Sequence, residues 1–290
     1  MKKQVFILSQ YLLPQHLFSR WMGKLISIRT PWFKNWAIRR FIRRYNVDMS
    51  IALVPDINAY ADFNAFFTRA LVPSARPVDP DPSHIISPAD GSFSQCGEFM
   101  DGRAITAKGF NFTVLELFGG VIEAAHLFQG GQLATIYLSP KDYHRVHMPM
   151  AGRLKKTIYI PGELFSVNQV TTESVPRLFA RNERLVCLFE TAIGPMAVVL
   201  VGAFFVASIY TTWSGLVTPR KKREIDVLDY STQPIFLEKG AELGHFELGS
   251  TVIMLLPKNS IAWLEKVALH APVNMGEGIA RILKTDLERS

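Results

Sequence analysis

Apolar residues recur at helical spacing in the first part of the chain. Leu17, Trp21, Leu25 and Ile28 lie three or four positions apart, which predicts an amphipathic helix with one apolar face. A second, short helix is predicted from Asp62 to Ala70, because the phenylalanines in this segment fall on one side. The first region of the chain is therefore predicted to be helical.

From about residue 85 the pattern changes to short apolar stretches broken by glycine and proline, as is typical of strands joined by turns. The clearest predicted strands are Leu133 to Leu138, Leu185 to Glu190, Met196 to Ile209 and Ser250 to Leu256. Two further helices are predicted at Phe112 to Phe118 and Asn274 to Leu287. The fold class that follows is α+β, with N-terminal amphipathic helices followed by a mainly antiparallel β-sandwich or barrel-like body.

A proline-rich link separates the two regions. Its prolines are Pro73, Pro77, Pro80, Pro82 and Pro88. Proline fixes one backbone angle and cannot continue a helix, so the link is predicted to be extended and rich in turns. We therefore predict a helical region over 1–70 and a mainly β domain over 71–290, and the 48% apolar content is enough for a sizeable core.

The net charge of +7 is concentrated at the N-terminus. Residues 1–50, here named the basic arm, hold ten Lys and Arg against one acid, Asp48. The arm therefore carries +9, and the remaining 240 residues carry −2. Three of the five tryptophans, Trp21, Trp32 and Trp36, also lie in the arm. Cations mixed with interfacial aromatic rings are typical of a helix that lies on an anionic bilayer surface.

Three other interpretations of the basic arm stay open: a secretory signal, a nucleic-acid contact and a plain helical cap on the core. A secretory signal needs an uninterrupted apolar segment, which Ser9, Gln10 and Pro14 break. Nucleic-acid binding needs stacking platforms or a recognised motif, and the sequence shows neither.

The longest largely apolar run, Ala197 to Tyr210, has fourteen residues. A spanning helix needs about 20, so this run is predicted to be a buried strand.

The two cysteines give no sign of a disulfide scaffold. Cys96 and Cys187 lie far apart and form no C-x-x-C motif. This spacing argues against a structural disulfide, a thiolate zinc site and a redox pair. A reducing compartment is the simplest interpretation.

A Gly-Ser pair stands directly before the apolar stretch Val252 to Leu256. A serine hydroxyl can attack the carbonyl carbon of the residue before it, which moves the acyl group from nitrogen to oxygen. Gly249 tolerates the distorted backbone that this shift needs. Ser250 is therefore a candidate nucleophile, and the bond between 249 and 250 is a candidate site of self-cleavage. The alternative is a glycine bulge at the start of a strand.

Two histidines, His144 and His147, follow a predicted strand. Ser139 can cap a helix, Pro140 fits its first position and Asp142 stands where a capping-box acid would, so one helical turn is predicted. Both histidines then share a face and can work in one site. Structural histidines and a metal-binding pair are the alternatives. No third ligand stands at a recognisable spacing, so we predict no metal.

The segment from Ser87 to Gly91 predicts a tight turn that presents the carboxylate of Asp90 at the edge of the β region. An ordinary turn residue is the plain interpretation of Asp90. A serine that attacks an amide, however, needs a base, and the base needs an orienting acid. Asp90, His147 and Ser250 supply these three roles and form a triad-like set.

In combination, these motifs resemble the phosphatidylserine decarboxylase family in its shorter, bacterial, membrane-associated form. The match follows the family's order over about residues 60 to 260. The matching segments are Phe66-Phe67-Thr68-Arg69 with Arg76-Pro77, Ser87 to Gly91, Lys108-Gly109, Leu138 to Pro149, Val201-Gly202-Ala203, and Lys239-Gly240 through Gly249-Ser250-Thr251. The Tyr-His-Arg-x-His and Gly-Ser-Thr elements are specific in combination, whereas the basic arm is generic.

The resemblance implies self-cleavage between Gly249 and Ser250, with His147 as the base and Asp90 as the group that orients it. The products are a long chain, 1–249, and a short chain of residues 250–290, which stay associated as a heterodimer. The resemblance also implies that the serine at 250 becomes a covalent pyruvoyl cofactor, which supplies the electron sink that amino acid decarboxylation requires.

In the implied reaction, phosphatidylserine forms a Schiff base with the pyruvoyl group, loses carbon dioxide and is released as phosphatidylethanolamine. His144 is the candidate acid that reprotonates the α-carbon, because imidazole can change protonation near neutral pH. Tyr143 is expected to assist His144 in binding the substrate. These residues complete the set of catalytic and substrate-binding positions that the resemblance implies.

The implied partners are phosphatidylserine in the bilayer and an anionic membrane surface, with no nucleic acid. The expected location is peripheral, on the cytoplasmic face of the inner membrane. Two alternatives stay open: a pyruvoyl-dependent decarboxylase of a soluble amino acid, and a self-nicking lipid-binding protein without decarboxylase activity. A Ser-His-Asp hydrolase is disfavoured because Ser250 lacks the G-x-S-x-G context of a nucleophile elbow.

Overall fold

The computed structural model describes residues 4, 7–8, 10–11, 14–100, 103–104, 112–203, 208–220, 223–247 and 250–283. Gly249, one half of the predicted cleavage site, lies outside these residues, as does the Lys108-Gly109 segment.

Three α-helices with described bounds precede the sheets: α1 (Gln15–Ile26), α2 (Pro31–Tyr45) and α3 (Phe63–Phe67). Pro31 occupies the first position of α2, where its missing N–H breaks no helical hydrogen bond. The helix ends at Asn46, whose backbone is left-handed with a φ of 52° and whose N–H donates to the carbonyl of Ile42. Before α3, the Asp62 carboxylate accepts a hydrogen bond from the Ala65 amide at 2.9 Å. The helical prediction for the first region is confirmed.

These helices enclose a small apolar core of their own. Ile38, Phe66 and Phe67 are fully buried in it, and the rings of Phe41 and Phe63 meet edge to face with centroids 5.2 Å apart. Full burial of one such side chain contributes about 1.5–3 kcal/mol. The ring of Phe67 also lies 4.1 Å from that of a histidine in the β domain, so this core reaches the second region.

The β domain contains seventeen described strands and four short helices. The strands are β1 (His84–Ile86), β2 (Gly91–Met100), β3 (Arg103–Ala104), β4 (Gln132–Leu138), β5 (Arg145–His147), β6 (Gly152–Ile160), β7 (Arg184–Thr191), β8 (Gly194–Val201), β9 (Ser208–Thr211), β10 (Gly215–Leu216), β11 (Asp226–Asp229), β12 (Ile235–Leu237), β13 (Glu242–Glu247), β14 (Ser250–Leu256), β15 (Ile261–Trp263), β16 (Pro272–Val273) and β17 (Gly278–Ile282). The helices are α4 (Val114–Leu117), α5 (Ile122–His126), α6 (Gln169–Thr172) and α7 (Leu178–Arg181).

The strands form three sheets in which the named strands pair antiparallel. The largest has the order β11-β6-β7-β8-β14-β4-β2-β16, with β12 also on β6 and β3 on β2. The second has the order β10-β9-β13-β5, and the third β1-β17-β15. The sheets pack in a sandwich-like way, and the described strands close no barrel. The α+β prediction with a mainly antiparallel body is confirmed.

Strand β14 lies inside the largest sheet, between β4 and β8. Its register pairs Ser250 with Leu138 and Thr251 with Val201. All seven of its residues are buried, which explains why Val252 to Leu256 are all apolar, with no polar alternation. The start of this strand is therefore held on both sides by backbone hydrogen bonds.

Several predicted elements are confirmed with small changes of boundary. The predicted helix at 112–118 is α4, which Thr113 and Glu116 close with a capping box. The predicted strands at 133–138 and 185–190 are β4 and β7. The prediction of a single buried strand over 196–209 is wrong, because β8 ends at Val201 and β9, which starts at Ser208, belongs to a different sheet.

The predicted helix from Asn274 to Leu287 is wrong over its described part. The segment forms a turn and then strand β17, which pairs with β1 and β15. Tertiary pairing explains the difference, because β1 and β15 flank β17 on both sides and supply the backbone hydrogen bonds that a helix would make internally. These long-range contacts override the apolar pattern, which alone favours a helix.

The helical turn predicted after β4 is also wrong. Residues 140–142 form a turn, and the chain then enters strand β5, in which His147 pairs with Glu242 of β13. The predicted local contact is nevertheless present, since the Ser139 amide and hydroxyl both donate to the Asp142 carboxylate at 2.7 Å. Pairing with β13 supplies the hydrogen bonds that a helix would have made internally.

Candidate active site

Ser250 is the first residue of β14, and its side chain is fully buried. Its Oγ has no hydrogen-bond partner among the residues that the structure describes. A buried polar atom without a partner is rare in folded proteins and is a frequent mark of a functional group. Strand pairing places Ser250 opposite Leu138. Leu138 is the last residue of β4 and stands directly before the turn that leads to the two histidines.

His144 follows this turn and is fully buried. Its Nδ1 donates to the carbonyl of Asp142 at 2.8 Å, and its ring lies 4.1 Å from that of Phe67. Burial lowers the pKa of His144 to about 3, so the imidazole is neutral at physiological pH. Within the described ranges its Nε2 has no partner, so the basic nitrogen of a neutral ring is available.

His147 lies on β5, where its backbone amide donates to the carbonyl of Pro88 at 2.8 Å. Its Nδ1 donates to the carbonyl of Gly240 at 2.8 Å, and its Nε2 accepts from the Tyr143 hydroxyl at 3.2 Å. Burial lowers the pKa of His147 and raises that of Tyr143 to about 12. At neutral pH the imidazole is therefore neutral and the phenol keeps its proton.

Asp90 is buried, but its carboxylate contacts groups other than His147. Arg76 donates to it from Nε at 2.8 and 3.0 Å and from Nη2 at 2.5 Å. The backbone amide of Met275 donates to it at 2.8 Å. The predicted orienting contact between Asp90 and His147 is not formed in this structure, because the planar arginine fork occupies the carboxylate.

Hydrogen bonds link three of the predicted residues. The His147 amide donates to the carbonyl of Pro88, two residues before Asp90, and Tyr143 is bonded directly to His147. Ser250 lies on the strand that pairs with β4, the strand before the histidine segment. Among the described side chains, no hydrogen bond joins Asp90 to His147 or His147 to Ser250.

The sequence did not single out two contributors to the site. The first is the backbone of Gly240, whose φ of 80° and tight contact with Val78 explain the glycine in the Lys239-Gly240 pair. The second is Glu242, which faces His147 across the strands and accepts a hydrogen bond from Arg145 at 2.7 Å. Neither contact has a local signal, because each joins segments almost a hundred residues apart.

No group of three His, Cys, Asp or Glu side chains in the described part of the chain could hold a metal ion. No described helix has both the length and the apolar content to cross a membrane.

The basic arm presents aromatic rings and cations on its surface. Trp32 is 74% exposed, and Trp21 and Trp36 are more than half exposed. Trp36 and four arginines of α2 line a surface cavity of about 470 Å³; they are Arg39, Arg40, Arg43 and Arg44. The arm also contacts the β domain, because the Gln15 side chain accepts a hydrogen bond from the Leu164 amide at 2.5 Å. An exposed aromatic and basic surface is thereby attached to the body of the protein.

Comparison with known proteins agrees with these features. The family model described as phosphatidylserine decarboxylase matches residues 63–281, and a second, described as PSD, matches residues 5–46. The chain is 58% identical to the phosphatidylserine decarboxylase proenzyme of Pseudomonas fluorescens strain SBW25, over 97% of this chain and 99% of the relative. It is 56% identical to the protein of the same name from Bordetella pertussis strain Tohama I, over 96% of this chain and 95% of the relative. The chain therefore belongs to the phosphatidylserine decarboxylase family.

Proposed function

We propose that this chain is a proenzyme that cuts itself between Gly249 and Ser250 and then decarboxylates phosphatidylserine to phosphatidylethanolamine. The observation that carries the proposal is the buried, unpartnered hydroxyl of Ser250 at the start of a central strand, in a chain of this family. An unsatisfied buried hydroxyl costs about 1–3 kcal/mol, and a purely structural serine gains nothing that offsets this. The relatives' name, proenzyme, also describes a protein that must be processed.

In the proposed self-cleavage, His147 accepts the hydroxyl proton of Ser250. The serine Oγ attacks the carbonyl carbon of Gly249, so that a C–O bond forms, the peptide C–N bond breaks and an ester results. The neutral state of His147 and the proton on its Nδ1 leave Nε2 as the base. Since Tyr143 now donates to Nε2, the serine hydroxyl must displace that phenol.

The ester then eliminates. Removal of the α-proton of Ser250 expels the Gly249 carboxylate and leaves dehydroalanine, which tautomerises to an imine. Water hydrolyses the imine to a pyruvoyl group and ammonia. The long and short chains remain together because β14 pairs with β4 and β8 of the long chain, and because Asp90 binds the Met275 amide of the short chain.

Asp90 acts in this proposal through its charge. Burial lowers the pKa of His147, and the Gly240 carbonyl, the Glu242 carboxylate and the Asp90 carboxylate each oppose that shift. A neighbouring negative charge stabilises the imidazolium that forms when His147 takes the serine proton. The Gly240 carbonyl holds the ring in place, so orientation and charge stabilisation come from different groups.

A pyruvoyl group at residue 250 supplies a carbonyl that accepts the substrate amine and takes up electrons as carbon dioxide leaves. A side chain that can exchange a proton with the substrate is available, since Nε2 of His144 is buried and unpartnered within the described residues. We propose that His144 delivers the proton to the α-carbon after carbon dioxide has left. Its pKa of about 3 keeps it neutral before substrate binds, so the negative charge on the bound substrate must raise that pKa before His144 takes up a proton from water. Tyr143, still protonated, donates a hydrogen bond to the substrate.

The basic arm is proposed to hold the enzyme peripherally on an anionic membrane surface, at the inner face of the cell membrane. Its exposed tryptophans suit the headgroup layer and the arginines of α2 suit lipid phosphates. The substrate's acyl chains then stay in the bilayer while its headgroup reaches the site.

The direct test offers the purified protein phosphatidylserine in micelles and, separately, free serine and other soluble amino acids, and measures release of carbon dioxide. We expect release from the lipid only, and none from the Ser250→Ala variant. Release from a soluble amino acid alone would support the soluble decarboxylase. Two chains without carbon dioxide from any substrate would support a self-nicking lipid-binding protein.

A further inference from the structure

A buried arginine without an ionic partner lies close to the candidate active site. The side chain of Arg69 is 4% exposed, and its Nε and Nη1 have no hydrogen-bond partner among the described residues. Its Nη2 makes one long hydrogen bond, 3.4 Å, to the carbonyl of Lys141. Arginine keeps its charge in proteins, so a buried guanidinium with three free N–H groups calls for an acceptor.

Arg69 lines a cleft of about 700 Å³ between the helical region and the β domain. Residues 46–51 and 69–76 form one side of the cleft, and residues 90–92, 137–143 and 272–274 form the other. Lys141 is exposed and also lines it. Tyr143 joins the cleft to the site, because it lines the cleft and its hydroxyl contacts His147.

The carboxylates of this cleft are already engaged with other groups. Asp90 binds Arg76, Asp48 accepts from the amide and hydroxyl of Ser50, and Asp142 accepts from Ser139. Across the described chain, no salt bridge to Arg69 is formed. Burial lowers the pKa of Arg69, and these acids oppose that shift at a distance while they leave its N–H groups free for an anion.

We propose that Arg69 binds the phosphate diester of the lipid headgroup, with Lys141 as a second cation at the rim of the cleft. This inference rests on the proposed function. The headgroup offers two anions, a phosphate and the carboxylate that is lost. An arginine on the carboxylate would stabilise the reactant more than the transition state, since charge leaves that group during decarboxylation. The phosphate keeps its charge throughout, so holding it lowers KM without opposing the chemical step.

The kinetic test compares KM and kcat for phosphatidylserine in mixed micelles. For Arg69→Gln we expect complete self-cleavage, a KM raised by about 10- to 100-fold and a kcat within about threefold of wild type. Arg153→Gln is the matched control, because Arg153 is exposed on β6, four strands from β4 in the largest sheet. A KM within twofold of wild type for Arg69→Gln, or a reduced kcat at unchanged KM, overturns the proposal.

Competition experiments keep the test independent of how Arg69→Gln folds. Glycerophosphoserine and inorganic phosphate are added separately to the wild type and to Lys141→Ala, whose altered side chain is exposed. Competition by glycerophosphoserine alone supports a site for the lipid diester, and competition by both supports a site for any phosphate. In either case we expect weaker competition with Lys141→Ala. Absence of competition by both probes overturns the proposal.

Failure of the proposed decarboxylase function can be distinguished from failure of the proposed phosphate site. A wild type that releases no carbon dioxide from phosphatidylserine contradicts the decarboxylase proposal. Calorimetric titration of the same wild-type protein with glycerophosphoserine then decides the phosphate site by itself. Measurable binding that Lys141→Ala weakens supports the site, and no binding at millimolar ligand rejects it.

Discussion

The Nδ1 of His147 donates a hydrogen bond to the carbonyl oxygen of Gly240 at 2.8 Å. A carbonyl oxygen can only accept, so this contact places the ring proton on Nδ1 and leaves Nε2 as the basic nitrogen. Gly240 has a φ of 80°, and a Cβ there would lie 2.8 Å from Cγ2 of Val78. The backbone at residue 240 therefore sets both the tautomer and the orientation of the proposed base.

Gly240→Ala is expected to slow self-cleavage by about 10- to 100-fold, because a displaced carbonyl loosens the His147 ring and removes part of the roughly 10²- to 10⁴-fold that general-base catalysis contributes. Newly purified protein is followed on denaturing gels as the precursor converts into two chains. Gly215→Ala is the matched control, since φ there is also positive, at 69°, and the nearest atom is 3.8 Å from the added Cβ. Equal rates for the two variants would contradict the proposed role of Gly240.

Asp90 combines a proposed charge effect with a structural contact. Asp90→Asn is expected to slow self-cleavage strongly and to lower stability, because the half-buried Arg76 loses its charged hydrogen-bond partner at a cost of about 1.5–3 kcal/mol. Arg76→Gln is expected to lower stability but to keep the cleavage rate within about threefold. Both properties are measured by gel time course and thermal denaturation. If Arg76→Gln blocks cleavage as fully as Asp90→Asn, Asp90 acts through the arginine.

His144→Ala is expected to separate the two activities. Self-cleavage should proceed within about threefold of wild type, because His147 supplies the base for that step. Turnover of phosphatidylserine should fall by about 10²- to 10⁴-fold, the usual contribution of a general acid. The control is His126→Ala in α5, a histidine exposed on the surface. Unchanged turnover in His144→Ala would remove His144 from the reaction.

The low pKa of His144 predicts a pH dependence of stability. The folded protein keeps His144 neutral down to about pH 3, whereas the unfolded chain binds a proton below about pH 6.5. Stability is therefore lost as pH falls through this window, by up to about 1.4 kcal/mol per pH unit from this residue. In urea titrations between pH 7 and 4, Ser250→Ala should lose stability more steeply than the double variant that also carries His144→Gln. Parallel curves would contradict the burial of a neutral His144.

The membrane proposal predicts a specific loss of vesicle binding. Replacing both Trp32 and Trp36 with alanine should weaken binding to anionic vesicles at least about tenfold, because both rings are exposed and suited to the headgroup layer. Phe236→Ala is the control, since Phe236 is 54% exposed on β12, outside the basic arm. Sedimentation with anionic and with zwitterionic vesicles measures the effect. Equal loss in the control would show a general surface effect and no specific role for the arm.

The local features of the fold could be predicted from the sequence, because each depends on neighbouring residues. The phenylalanines at 63, 66 and 67 predicted the helix that is α3, and the apolar run after Ser250 predicted the buried strand β14. The helix predicted near the C-terminus failed because the segment pairs as β17 with β1, about two hundred residues earlier in the chain. A single sequence contains no signal for such a contact.

The same distinction applies to the candidate site. The residue types Asp90, His144, His147 and Ser250 could be selected by the chemistry that they permit. Their hydrogen-bond partners could not be predicted. His147 donates to the Gly240 carbonyl and Asp90 accepts from Arg76, and both partners come from other parts of the chain. The free N–H groups of Arg69 are likewise visible only in three dimensions.

The intact mass of the purified, active protein tests the central claim most directly. The account predicts two chains, 1–249 and 250–290, with the short chain one ammonia lighter than a chain that begins with free serine. It also predicts that Ser250→Ala remains one inactive polypeptide. Full activity in wild-type protein that consists of a single uncut chain of 32.7 kDa would contradict the account.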